Sequence, residues 1–226
     1  MRLIFRILIV FSPLMAMSQE VRKPLSVIFL DIDGVLIEAR DLDPLPTLIR
    51  QKLVELFGPK DDQYREYTAL QWRIAASHFL QQAAVENLEK LIQQVSAMSS
   101  VAIVLSSAWR LDGSSDEIKN QMFATRSFSR FIIDKTPDED WWRRRKGEEE
   151  LSPIALEKYG FPLRTRGSEI DYWLRENWEK WHIQNFVIFD DCDNGISKLF
   201  PDQFVEVRRL LSEMEIERAY DILTRP

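Results

Sequence analysis

One cysteine, Cys192, and two histidines, His78 and His182, are all that 226 residues offer to a soft metal. A disulfide framework and a thiolate zinc cluster are thereby excluded, and a multi-histidine zinc site has too few ligands. A metal held by this chain would be a hard cation bound through oxygen. Excess positive charge is missing too. The net charge is −6, which argues against nucleic-acid binding over the whole surface and leaves only a local basic groove for it. Internal repeats and low-complexity tracts are absent. A comfortable membrane span of ~20 apolar residues is lacking as well; the longest apolar run goes from Ile7 to Met17. It follows Arg2 and Arg6 and ends near Ala16-Met17-Ser18, the layout of a secretory leader over residues 1–18. No cysteine stands at the cleavage point, so a lipoprotein anchor is not indicated. The alternative is a true start at Met15 or Met17. Export to the periplasm follows from the first reading and a cytoplasmic location from the second. Either way this stretch is set aside from the fold.

What is present is ample core. The chain is 45% hydrophobic and 11% aromatic, enough for one domain over residues 25–226. Five short apolar runs, at 26–33, 101–107, 130–136, 186–191 and 203–207, are rich in Val, Ile and Phe and nearly continuous. Continuity without alternation predicts strands of a parallel sheet covered on both faces. Between them, residues 84–98 align Val85, Leu88, Leu91, Ile92 and Val95 on one helical stripe. Residues 169–181 do the same with Ile170, Trp173, Leu174 and Trp178, so the tryptophans at 173, 178 and 181 are expected in the core. Strands alternating with helices predict an α/β, Rossmann-like doubly wound parallel sheet of about five strands. Two segments exceed a plain crossover. Residues 38–83 carry helical text over 47–57 and 64–80 and read as a cap-type insertion, while 111–165 read as a second insertion.

In an open α/β sheet, ligands bind beyond the carboxyl ends of the strands. The first run ends in Asp31-Ile32-Asp33-Gly34, the second in Ser106-Ser107, the fourth in Asp190-Asp191, and Arg166 opens the helix before that fourth run. Carboxylates crowded at one edge are stable when a divalent cation shares them, and Mg²⁺ favours such oxygens. A carboxylate can then attack phosphorus and form an aspartyl-phosphate. A second Asp two residues on projects to the same side of an extended strand and can protonate the leaving oxygen, then deprotonate water. Ser106 and Arg166 would hold the non-bridging oxygens, with Lys135, Arg164 and Arg110 as competing basic residues. Gly34 would let the backbone turn where a Cβ would clash.

DIDGVL, the run VAIVLSS, a basic residue opening a helix, and FVIFDD resemble, in that order, the four motifs of the haloacid-dehalogenase (HAD) superfamily. LSSAWR, RGSEIDYWL and FVIFDD resemble more narrowly the HAD domain of Swiss Army Knife RNA-repair proteins, over residues 26–208. The resemblance implies the HAD fold with a small helical cap, and an Mg²⁺-dependent phosphatase. It implies Asp31 as nucleophile, Asp33 as general acid and base, and Ser106 and Arg166 as phosphate-binding residues. The metal ligands it implies are Asp31, Asp33, Asp190 and Asp191. The expected substrate is a phosphorylated small molecule or nucleic-acid end. Transfer to an acceptor other than water, or a silent binding module of the same fold, are the alternatives; intact Asp31 and Asp33 speak against the second. The run at 141–146, WWRRRK, has the composition of a nucleic-acid contact, but Glu148, Glu149 and Glu150 can neutralise it along a solvated helix.

Overall fold

The computed structural model describes residues 23–38, 44–59, 67–110, 113–137 and 165–225. The expected leader and the basic run at 141–146 lie outside them. Five strands form one all-parallel sheet: β1 (Leu25–Leu30), β2 (Ser100–Leu105), β3 (Ile132–Lys135), β4 (Ile183–Asp190) and β5 (Phe204–Glu206), in the order β3-β2-β1-β4-β5. The helices are α1 (Pro44–Phe57), α2 (Ala69–Ser77), α3 (Gln82–Ser96), α4 (Ser115–Met122), α5 (Arg166–Trp181), α6 (Ile196–Leu199) and α7 (Glu213–Leu223). The sheet and its flanking helices are the expected α/β arrangement. Among the described residues no helix is long and apolar enough to cross a membrane.

The pleat explains why the strands read as unbroken apolar runs. In β1, Ile28 and Leu30 face one core layer, packed with Leu88, Leu91 and Val95 of α3 and Ile216, Ala219 and Ile222 of α7. Val27 and Phe29 face the opposite layer, packed with Ile170 and Trp173 of α5. Residues on both faces are dry, so neither face needs a polar side chain. Phe29 is fully buried and meets Trp173 and Phe186 edge-on, at centroid distances of 5.4 and 6.0 Å.

β3 stands where the apolar run at 130–136 predicts a strand, and it pairs with β2 at the edge of the sheet. One region departs from expectation. The helix α5 buries Trp173, but Trp178 and Trp181 are 36% and 42% exposed. Trp178 packs edge-on against Phe186 near the start of β4, while the Trp181 indole donates to Asn177 within its own helix. Helical spacing brings both near the core-facing stripe, but the last turns of α5 lie at its rim. His182 ends the helix in a left-handed turn.

Truncating Phe29 to Ala should cost about 3–5 kcal/mol, read as a lowered urea midpoint with an unchanged slope. Met214→Ala, at a position 72% exposed, should stay within about 0.5 kcal/mol of the parent.

Candidate active site

Register brings the polar residues level. Leu30 lies opposite Leu105 on one side and Phe189 on the other, so Asp31, Ser106 and Asp190 follow at the same height. Oxygens of Asp31, Asp190 and Asp191 all lie within 4.8 Å of one another. Such a set of carboxylates could hold a hard divalent cation.

Arg166 meets this group from the first turn of α5. Its Nη1 lies 3.7 Å from Asp31 Oδ1 and 3.5 Å from Asp190 Oδ2. Two features set that turn. Thr165 caps it, accepting a hydrogen bond from the Ser168 N–H at 3.3 Å. Gly167 lies flat against the turn after Asp190-Asp191, where an added Cβ would sit 2.4 Å from the Gly195 carbonyl oxygen. A larger residue there would push Arg166 away from the aspartates.

The competing basic residues have other partners. Lys135 Nζ donates to the Arg110 carbonyl at 2.6 Å. Arg110, buried, donates to the Ser107 carbonyl at 2.7 Å and to Glu169 Oε2 at 2.5 Å. Arg164 lies outside the described residues. Glu169 also faces Arg166, whose Nε is 3.9 Å away, so one buried carboxylate ties both guanidiniums together.

The two adjacent serines divide. Ser107 hydrogen-bonds to the Asp31 carboxylate and accepts from the Trp109 N–H at 3.4 Å. Ser106 is 1% exposed, and its hydroxyl finds no hydrogen-bond partner among the described residues. Arg166 Nη1 and Asp190 Oδ2 are also buried without a hydrogen bond among them. Two donors and one acceptor therefore lack a hydrogen bond at one edge, although Arg166 Nη1 and Asp190 Oδ2 face each other as a loose ion pair at 3.5 Å. Buried polar atoms are rarely left so.

Asp33 stands apart from the three converging carboxylates. The Trp109 indole Nε1 donates to both its carboxylate oxygens, at 3.0 Å each. Gly34 follows with φ +74°, and a Cβ there would lie 2.2 Å from Asp191 Oδ2. The DxDG turn and Asp191 are thus in direct contact, and only glycine fits between them.

Burial sets the electrostatics. It raises Asp31 above its ordinary value against the pull of Arg166 and of the Ile32 and Ser107 hydrogen bonds. Asp190 is pushed up to about 7 by burial and then by the charge of Asp31. Burial lifts Asp33 to about 6, with Asp31 and Asp191 adding to the rise and Trp109 opposing it. Asp191 is raised by burial and by Asp31.

With this geometry in hand, the comparison with known proteins is direct. The model of the family described as the HAD domain in Swiss Army Knife RNA repair proteins matches residues 27–211. The chain belongs to that family. No curated protein and no solved structure matches it. At the level of the family this is a HAD-type hydrolase. The sequence places Ser107 at the strand end but prefers Ser106 as the phosphate-binding hydroxyl, and it gives no role to Trp109, Glu169 or Thr165. LSSAWR places Ser107 and Trp109 beside the strand end, but nothing in it says which of its polar atoms would meet Asp31 or Asp33.

The raised aspartates make a pH prediction. A carboxylate with a folded value above its unfolded 3.8 holds its proton longer when folded. Its contribution to stability is complete below about 4 and is lost as pH rises through about 6 to 7. Thermal midpoints of the metal-free protein should therefore fall, relative to those of Asp190→Asn, between pH 4 and 7.5. Parallel curves for the two proteins would refute the assignment.

Proposed function

We propose that this HAD domain is an Mg²⁺-dependent phosphomonoester hydrolase working through an aspartyl-phosphate on Asp31. The observation that carries the reading is the set of buried polar atoms beside Asp31 that make no hydrogen bond: the Ser106 hydroxyl, and Arg166 Nη1 and Asp190 Oδ2, which are held only as a loose ion pair. Two donors suit the non-bridging oxygens of a phosphoryl group, and a carboxylate oxygen among like charges suits a cation.

The donor set fits Mg²⁺, because three carboxylate groups converge and burial with mutual repulsion makes their charges costly without a counter-ion. Asp31, Asp190 and Asp191 would hold it; when bound, it supplies positive charge that offsets theirs and that of the phosphoryl group.

The chain's own residues do the rest. An Asp31 carboxylate oxygen attacks phosphorus as the bond to the leaving oxygen breaks. Asp33, starting protonated, gives its proton to that oxygen, and the alcohol departs. Asp33, now a carboxylate, takes a proton from water; the resulting oxygen attacks phosphorus and the bond to Asp31 breaks. Inorganic phosphate leaves, with Asp31 ionised and Asp33 protonated as at the start. Arg166 and Ser106 stay on the non-bridging oxygens throughout.

The substrate proposed is the phosphorylated end of a nucleotide or nucleic acid. Its support is the family description, in which RNA repair is said of the proteins that carry this domain.

p-Nitrophenyl phosphate with Mg²⁺ should be turned over, EDTA should abolish turnover, and Asp31→Asn should reduce it to background. Asp33→Asn should lower kcat by about 10²- to 10⁴-fold. Nucleotides and oligonucleotides phosphorylated at the 5′ or 3′ end then locate the substrate. A folded protein inert toward the aryl ester and the whole panel would sink the proposal.

A further inference from the structure

We infer that Trp109 is a positioning residue that holds Asp33 at the leaving-group oxygen and away from the cation-binding carboxylates. The inference rests on the phosphatase reading above.

The geometry is specific. The indole Nε1 is equidistant from the two Asp33 oxygens, 3.0 Å from each. A forked donor of this kind fixes the direction of the carboxylate as well as its distance. Indole is a donor only, so it orients Asp33 without competing for the proton that Asp33 carries. Each oxygen keeps a lone pair for the substrate side.

Trp109 is itself held. It lies in a short 3-10 turn, Ala108–Arg110, directly after β2. Its N–H donates to the Ser107 hydroxyl, and its ring packs against the larger core layer. The next residue is clamped at both ends, by Glu169 and Ser107 through its guanidinium and by Lys135 through its carbonyl. The indole thus reaches Asp33 from a turn braced by β3 and α5, not from a free loop.

With a cation offsetting the repulsion from Asp31 and Asp191, the Trp109 donor is the side-chain hydrogen bond that holds Asp33 off the other three. Asp31, Asp190 and Asp191 converge, whereas Asp33 does not. A fourth carboxylate swung toward the cation would be lost to proton transfer. The Trp109 contact keeps the two tasks on separate aspartates.

The test uses leaving groups of graded basicity. A dinitrophenolate departs without a proton, whereas an alkoxide needs one, so kcat/KM, which ends at the phosphoryl-enzyme, depends on a well-placed Asp33 only for the second. Trp109→Phe keeps most of the ring and removes the N–H. Its kcat/KM should stay within about 3-fold of the parent on dinitrophenyl phosphate and fall by about 10- to 100-fold on an alkyl phosphate. In an Asp33→Asn background the same change should cost nothing further on the alkyl ester, because it acts through Asp33. An even loss across the esters, no loss at all, or additivity with Asp33→Asn overturns the inference. Should the phenylalanine variant not fold, Trp109→Leu, which also lacks a donor, is read alone: its loss must again be greater on the alkyl ester, and an even loss or no loss overturns the inference. Parent protein with no Asp31-dependent turnover would fail the phosphatase reading before any Trp109 variant is compared, and the inference would fall with it.

Discussion

Asp31, Asp33, Asp190 and Asp191 lose water on folding, and the charge of Asp31 presses on the other three. Nearly every feature around them opposes that cost. The Ile32 N–H donates to Asp31 Oδ1 at 2.8 Å and the Cys192 N–H to Asp190 Oδ1 at 3.0 Å. Arg166 lies between Asp31 and Asp190, Ser107 donates to the first, and Trp109 to Asp33. None of these offsets the cost of burial fully, since all four aspartates remain raised.

Arg166 could collapse onto one aspartate and form a close pair. It does not: its Nη1 stays 3.5 Å or more from both. The restraint comes from the other direction. Gly167 is pinned against Gly195, and Glu169, one turn along, is already engaged by Arg110. A buried ion pair of that kind is weak evidence for stability, because desolvation offsets much of its attraction, yet losing one partner leaves a bare charge at a cost of about 3–5 kcal/mol. Its value here is geometric. Glu169 couples the start of α5 to the turn after β2, so the guanidinium on one and the indole on the other keep a fixed relation to the aspartates between them.

Much of this was legible in the residues. The five strands show as apolar runs because both faces of the sheet are dry; several runs were read one to three residues too long because the same text continues into the site, as in Ile32 after Asp31. The helices α4 and α7 left a signal that apolar periodicity alone passes over. Ser114 with Glu117, and Ser212 with Glu215, form capping boxes at their starts. In α4 only Ile118 and Met122 are buried apolar residues, so the cap is its main sign, whereas α7 also carries a stripe of Ile216, Ala219, Ile222 and Leu223. The convergence of Asp31, Asp190 and Asp191 follows from parallel register, which a list of strand ends already implies. The choice among Arg166, Lys135 and Arg110 does not, because it depends on which of them finds another partner in the fold.

The contact between Trp109 and Asp33 spans 76 positions in sequence, and no periodicity or spacing encodes it. On the proposed phosphatase reading its consequence is chemical: four carboxylates of one composition would serve two ends, some sharing a cation while one cycles between acid and base. Identical side chains acquire different roles only through different surroundings. Asp31, Asp190 and Asp191 converge on one another with Arg166 beside the first two, whereas Asp33 faces an indole that donates to it and accepts nothing. On that reading the tryptophan would separate proton transfer from cation binding, although it carries neither charge nor titrating group.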